Sequence, residues 1–187
     1  IVIENAGAQQ GTLILNEDGE LKIEAQGTIE QKEVMVLQSL SLSQLAADQT
    51  PLLVPITLVN YVARAREHIV LQDAAHTGKF TRDPYIINHQ TQSALCVPLL
   101  NQGQLIGILY LENNLVTGAF TPTRLEVLNL LSSQIAISIK NAKLYADTKA
   151  LNTKLRESEE RFRIIAETTP IPLVITRMSD NIILYAN

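Results

Sequence analysis

Tryptophan is absent from this sequence, and cysteine occurs once. A single thiol cannot close an internal disulfide, and it cannot build a structural zinc site of the usual cysteine-rich kind. Aromatic residues make up only 4%, too few for a platform on which bases stack. The net charge is −4, so there is no basic face to neutralise phosphates, and nucleic acid is excluded as a partner. No uninterrupted apolar run reaches the roughly 18 residues of a membrane span. The opening IVIENAGAQQG lacks the basic segment and long apolar stretch of a secretion signal. The three histidines, His68, His76 and His89, form no helical i, i+4 pair and no HExxH run. A glycine-rich phosphate loop and a GxSxG elbow are also missing. The expectation is a cytoplasmic chain with no metal site, no identified cofactor and no catalytic residue of its own.

What is present describes a folded protein. Apolar residues make up 46% of the 187 and charged residues 18%, a globular balance rather than a disordered one. The length allows one domain with a sizeable core plus a remainder. Both ends read as cut: the chain opens on Ile-Val-Ile and stops at Asn187, directly after a strand-like run.

Along the chain, residues 1 to 10 read as the end of a helix stopped near Gly7 or Gly11. TLILNEDGELKIEA reads as a β-hairpin, with Leu13 and Leu15 on one side, Leu21 and Ile23 on the partner strand, and a turn at Asn16 to Gly19. Residues 29 to 48 mix polar and apolar positions and read as a helical or loose connection. Pro51 and Pro55 bracket a break. Ile56 to Glu67 is amphipathic, with Ile56, Val59, Val62 and Ala63 at helical spacing. HIVLQD (68–73) is a short strand, AAHTGKFTRDP a loop, and Tyr85 to His89 a helical turn. Ala94 to Leu100 and Gln104 to Leu111 form a second hairpin around Asn101-Gln102-Gly103. Its second strand is apolar on both faces, which places it centrally in an antiparallel sheet with helices on each side. Gly107 within that strand implies close approach of another backbone or side chain.

Thr121 and Pro122 open a helix. No glycine or proline follows until Pro170, so this helix can run for about 45 residues, far beyond the globular average. Its first half is apolar nearly all round and needs two partners. In its second half Leu144, Thr148, Leu151, Leu155, Ser158, Phe162 and Ile165 recur at spacings of four and three, a coiled-coil seam. Thr148 and Ser158 weaken that seam, which suits a switchable linker. A parallel homodimer is expected through Leu128, Leu131, Ile135, Ala142, Tyr145, Leu151 and Leu155. The tail IPLVITRMSDNIILYAN reads as a third hairpin, Leu173 to Thr176 and Ile182 to Tyr185.

Three stretches carry a resemblance: IENAGAQQGTLIL, YVARAREHIVLQDA and SALCVPLLNQGQLIGILYLENNLVTGAFTPTRLEVLNLLSSQIAISIKNA. Together, over roughly residues 1 to 145, they resemble a GAF domain, and the last looks like the GAF modules of cyanobacterial-type multidomain sensor kinases. ERFRIIAETTPIPLVITRMSDNIILYAN resembles the opening of a PAS domain. The resemblance implies an α+β fold, an antiparallel sheet flanked by helices. Residues 1–121 would form the GAF core, 122–168 a long signalling helix, and 169–187 the start of a PAS domain. It also implies downstream PAS and histidine-kinase domains in the same chain, and a sensory and dimerisation role. A small-molecule-binding GAF module, for cyclic nucleotide or another metabolite, is the alternative; a bilin photoreceptor ranks below it.

The resemblance also directs attention to sites. Bilin-binding GAF domains typically carry a cysteine next to a histidine on a helix. Here Cys96 is followed by Val97 and Pro98 in a strand-like run, and the motif is missing. Methionine-sulfoxide-reducing GAF enzymes use more than one cysteine. With apolar neighbours and no base beside it, Cys96 reads as a small buried hydrophobe. Nucleotide-binding GAF domains carry Asn-Lys, a phenylalanine and an Asp-Glu pair. Here those positions hold Asn113, Asn114, Phe120, Arg124 and Leu125, so their salt-bridged lock cannot form. Leu13, Leu15, Asp73, His76, Cys96, Leu109 and Leu111 are the candidates for lining a ligand pocket.

Overall fold

A computed structural model describes residues 2–30, 34–47, 52–168 and 174–186. Pro51, Pro170, Leu173 and Asn187, used above as punctuation or strand residues, lie outside the described residues. The chain divides into two compact units, Ile1–Lys140 and Asn141–Asn187.

The first unit is built on a six-stranded antiparallel sheet ordered β3-β2-β1-β6-β5-β4. Its strands are β1 Gln10–Glu17, β2 Glu20–Thr28, β3 Val34–Ser41, β4 Ile69–Leu71, β5 Ser93–Asn101 and β6 Gln104–Asn113. Both expected hairpins form. Asp18 and Gly19 (φ 52° and 93°) turn the first, and Gln102 and Gly103 (φ 50° and 77°) the second. Positive φ at both central residues gives a turn whose twist matches the strands it joins. β6 lies between β1 and β5, central as its two-sided apolar pattern requires. Gly107 pairs with Leu15 on one side and Leu99 on the other, and a Cβ built there would fall on the Ile14 carbonyl oxygen.

Each face of the sheet is covered. One carries Ile14, Ile23, Ala94, Cys96, Ile108 and Tyr110, packed under α3 (Ile56–Ala65) and α4 (Pro84–His89). The other carries Leu95, Val97, Leu99, Leu109 and Leu111, packed with Ala6 of α1 (Val2–Ala6) and Leu128 and Ala136 of α5 (Pro122–Thr168). Each fully buried aliphatic side chain contributes about 1.5–3 kcal/mol to this packing.

Helix ends follow local chemistry. α1 stops at Gly7, at φ 69°. α3 stops at Arg66 in the left-handed region, whose N–H donates to the Val62 carbonyl. α4 has Asp83 as N-cap, accepting from the Tyr85 N–H, with Pro84 in its first turn. α5 opens at Pro122, and the Leu125 N–H donates to the Thr121 carbonyl at 3.0 Å. With no glycine or proline to interrupt it, α5 continues for 47 residues.

One expectation fails. The stretch 29–48, read as a helical or loose connection, contains edge strand β3 and a short helix α2, Leu42–Ala47. The strand escapes detection because its alternation is broken. Its pairing with β2 shifts register between Ile23 and Ala25, and Ser39 sits at φ 44°. A bulge moves residues to the opposite face and erases the period of two.

The second unit holds the remainder of α5 and a two-stranded hairpin, β7 Val174–Thr176 and β8 Ile183–Ala186. The Tyr185 ring meets Phe162 edge-on at 6.1 Å. Among the described residues no helix is long and apolar enough to cross a membrane.

Candidate functional site

The sheet face beneath α3 and α4 is apolar except at one end, where β6 buries a carboxylate. Glu112 is 2% exposed. Its Oε2 accepts two phenol hydrogens, from Tyr110 at 2.8 Å and from Tyr85 of α4 at 2.9 Å. Asn114 Nδ2 lies 3.4 Å from Oε1. The Tyr85 and Tyr110 rings meet edge to face, and His89 stacks on Tyr85 at 4.0 Å. Burial first, and then the negative charge of Glu112, push both phenols above their ordinary pKa. Both hydroxyls therefore remain donors. This is a closed polar lock in which the carboxylate ties α4 to the central strand.

A second buried carboxylate extends it. Asp83, 3% exposed, accepts from the Tyr85 N–H at 2.8 Å, from the Thr57 N–H at 3.0 Å and from the Thr57 hydroxyl. It joins the start of α3 to the start of α4. The sequence reading missed Glu112, Tyr110, Tyr85 and Asp83. One signal was present: Glu112 directly follows the apolar run Leu105–Leu111 of β6, and Tyr110 precedes it on the same face.

The seven pocket candidates do not converge. Cys96 is fully buried on the α3/α4 face, paired in register with Ile69 and Tyr110. Leu13, Leu109 and Leu111 pack on the opposite face, against the α1/α5 cluster. Leu15 is half-buried opposite Gly107. Asp73 and His76 occupy the loop after β4, where His76 Nδ1 and Asp73 Oδ1 lie 2.8 Å apart near solvent. The error is one of phase: neighbouring residues of a strand point to opposite faces, and here both faces are apolar.

Cys96 takes the role of a small hydrophobe. Burial raises its thiol pKa well above the ordinary value, which suppresses the thiolate that a nucleophile or redox catalyst needs. Among the described residues no group of three or more His, Cys, Asp or Glu side chains is placed to hold a metal ion.

The corner where nucleotide-binding relatives build their lock is closed differently. Asn113 Nδ2 donates to the Gly7 carbonyl at 2.9 Å, and its Oδ1 accepts from the N–H groups of Leu115 and Val116. The Asn114 N–H donates to Gln9 Oε1 at 2.7 Å. Phe120 is fully buried. Arg124 donates to the Ala119 carbonyl at 2.6 Å, and its guanidinium lies so close over Gly7 that a Cβ there would collide with it. Hydrogen bonds thus tie the end of β6 to the end of α1, and the Arg124 guanidinium packs over Gly7.

The helix face expected to dimerise also needs correction. Leu128 is 1% exposed, locked in its own core, and Leu131 and Ile135 are half-buried. In this unit the outward apolar residues of α5 are Val127, Leu130 and Ile137, with Leu130 77% exposed. Of the remaining expected residues, Ala142, Tyr145, Leu151 and Leu155 are exposed, as is Leu144. The seam at 144–165, counted backwards along the sequence, reaches Ile137, Leu130 and Val127. Those are the same residues that the first unit leaves uncovered.

Comparisons with known proteins agree with this architecture. The GAF domain family profile matches residues 1–139. Hybrid signal transduction histidine kinase G of Dictyostelium discoideum is 43% identical over 96 residues, 51% of this chain. Peroxide stress-activated histidine kinase mak3 of Schizosaccharomyces pombe is 25% identical over 185 residues, 90% of this chain. This chain spans 3% of the first relative and 8% of the second. Among solved structures, the GAF domain of a two-component sensor histidine kinase from Bacillus halodurans shares the fold, with a TM-score of 0.54 at 16% identity. The match covers 74% of this chain and 86% of that one.

Proposed function

Because this chain belongs to the GAF family, we propose that it is the sensory and dimerisation module of a multidomain signalling kinase of the cyanobacterial type, working in the cytoplasm. The domains of this reading are a GAF core over 1–121, a signalling helix over 122–168 and the start of a PAS domain from 169. The hairpin β7–β8 supports the last assignment, and two histidine-kinase relatives support the first. Kinase chemistry belongs to segments downstream.

The observation that carries the reading is the stripe of exposed apolar residues on α5. Val127, Leu130 and Ile137 point away from the GAF sheet, and Leu144, Leu151 and Leu155 are also uncovered. Heptad-spaced apolar side chains left exposed call for a helical partner. The relay then follows from one helix with two contacts. Leu128, Ser132 and Ala136 are buried against the sheet, so a rearrangement of the sheet moves α5 and biases the coil. That is a two-state packing switch of the kind that carries allosteric signals.

The test is sedimentation of the 187-residue chain over a concentration series reaching tens of micromolar. The parent should sediment as a dimer, and the Leu130→Lys/Ile137→Lys variant as a folded monomer. A parent that stays monomeric throughout overturns the proposal.

A further inference from the structure

The sheet is incomplete at one edge, and the gap opens beside α5. β4 holds only three residues and covers β5 no further than Cys96, which pairs with Ile69. Where a longer strand would cover Val97 to Leu100, the chain has not yet entered the sheet. Arg66 ends α3 at φ 57°, and Arg66 to His68 lead into β4. The result is a groove of about 550 Å³, a volume suited to a small molecule. Its floor is Val97, Pro98 and Leu100 of β5; one wall is Arg66 to His68, and the other is Asn129, Ser132 and Ser133 of α5. Val97 packs on the α5 side of the sheet, so the groove is separate from the face beneath α3 and α4 that holds the Glu112 lock.

The walls carry hydrogen-bonding groups that the fold itself leaves unused. Arg66 Nη1 donates to the Gly103 carbonyl at 2.7 Å. Its Nε and Nη2 have no acceptor among the described residues, and the His68 ring and the Asn129 side-chain amide have no partner there either. Tying one nitrogen to backbone restrains the guanidinium, and a planar fork with free N–H groups matches a carboxylate or a phosphate. Charge points the same way. The chain carries −4 overall, yet Arg66 meets the β5–β6 turn together with Lys140, whose Nζ donates to Asn101 Oδ1 at 3.2 Å. Glu67 is the one acidic residue of the lining, and these two cations outweigh it. The floor is apolar, so a bare ion leaves it in water, whereas an organic body covers it.

We infer that this groove is a binding site for a small organic anion. Its carboxylate or phosphate group sits on the Arg66 guanidinium, His68 and Asn129 supply further donors, and its apolar body lies on Val97, Pro98 and Leu100. The site is built from the sheet edge and from α5, so a bound molecule touches both elements at once. Resting on the relay reading, occupancy is then an input to α5 from the edge of the sheet; binding itself does not depend on that reading.

Amide chemical-shift mapping tests this. Phenyl phosphate and benzoate share an apolar ring and differ in head group. Each is titrated into the isotope-labelled chain, with inorganic phosphate and acetate as controls that lack the ring. Saturable shifts at 66–68, Val97, Leu100 and 129–133 are expected in the millimolar range, where ligands this small bind. The ring-bearing anions should bind several-fold tighter than the bare ones, and the tighter of the two identifies the head group. Arg66→Gln should weaken binding by about tenfold or more, and Glu67→Gln should strengthen it. Arg64→Gln removes the same charge from α3 outside the groove and should change nothing. Ser133→Leu fills the groove from α5 at constant charge and should abolish binding, while the amide spectrum reports whether each variant is folded. The site is overturned by shifts that never saturate, by shifts confined to the α3/α4 face, or by a parent-like response in folded Arg66→Gln or Ser133→Leu. Sedimentation as a monomer leaves these readouts intact, so loss of the dimer reading and loss of the site are told apart.

Discussion

Glu112 offers a quantitative test of how this fold is held together. Its Oε2 takes both phenol hydrogens, one from the sheet and one from α4. A hydrogen bond to a charged group contributes about 1.5–3 kcal/mol. Tyr85→Phe and Tyr110→Phe should each therefore cost about 2 kcal/mol, because either variant leaves one donor on the carboxylate. The double variant leaves a buried charge with only the distant Asn114 amide beside it. An uncompensated buried charge costs about 3–5 kcal/mol, in addition to the lost contacts. The double loss should thus exceed the sum of the singles by about 1 kcal/mol or more. Urea denaturation of the four proteins measures the cycle directly. For a chain of this size each kcal/mol lowers Tm by about 2–4 °C, so calorimetry gives an independent reading. Adding Glu112→Leu to the double variant should recover much of the loss, since removing all the polar partners together leaves nothing unsatisfied. Two results refute the reasoning: single variants within about 0.5 kcal/mol of the parent, or a double that is purely additive with no recovery on Glu112→Leu.

Further outcomes follow from named side chains. Tyr85, Tyr110 and Cys96 all have folded-state pKa values above their ordinary ones. Their protonated forms therefore stabilise the fold fully below the unfolded pKa. That contribution is lost as pH rises, from about 8.5 for the thiol and about 10 for the phenols. The unfolding free energy from urea titrations should fall between pH 9 and 11, by at most about 1.4 kcal/mol per pH unit for each titrating group, and Cys96→Ala should remove the earliest part of the decline. Gly107→Ala drives a Cβ onto the Ile14 carbonyl and should cost more than 2 kcal/mol. Gly103→Ala, with open space around it but φ at 77°, should cost about 1 kcal/mol by thermal denaturation. Leu128→Lys should unfold the first unit by burying a charge in its core, whereas Leu130→Lys should leave that unit folded, with the parent's circular dichroism spectrum.

Much of the fold was legible because local chemistry and tertiary need coincide. Asn-Glu-Asp-Gly and Asn-Gln-Gly sit where two strands must reverse, and they supply the positive φ values that the turns use. Thr121-Pro122 opens α5, and the lack of any later glycine or proline lets it run. β3 was not legible, since the bulge opposite Ile23 and Ala25 hides its period. The candidate site failed for a related reason. β1 and β6 are apolar on both faces, so Leu13 and Ile14, or Leu109 and Ile108, are interchangeable to any pattern. Register shifts between Leu13 and Ile14 and between Leu99 and Leu100 then prevent extrapolation of phase from one end of a strand to the other. Only polarity marks the face, and the informative residues were Tyr110 and Glu112 rather than the leucines beside them.

The long helix shows the complementary difficulty and how packing resolves it. From Leu125 to Ile139 α5 is so rich in apolar residues that helical periodicity saturates, and any of several stripes could serve as a seam. The sheet removes the ambiguity by covering Leu128, Ser132 and Ala136, which fall at b, f and c when the heptad of 144–165 is counted back. What remains uncovered is a and d: Val127, Leu130 and Ile137. The buried and the exposed apolar residues of this stretch therefore lie on opposite sides of one helix. No part of α5 between 127 and 137 can turn to improve its packing on the sheet without turning the seam by the same angle. In the proposed relay, a change at the sheet face would therefore reach the exposed stripe with no hinge in between.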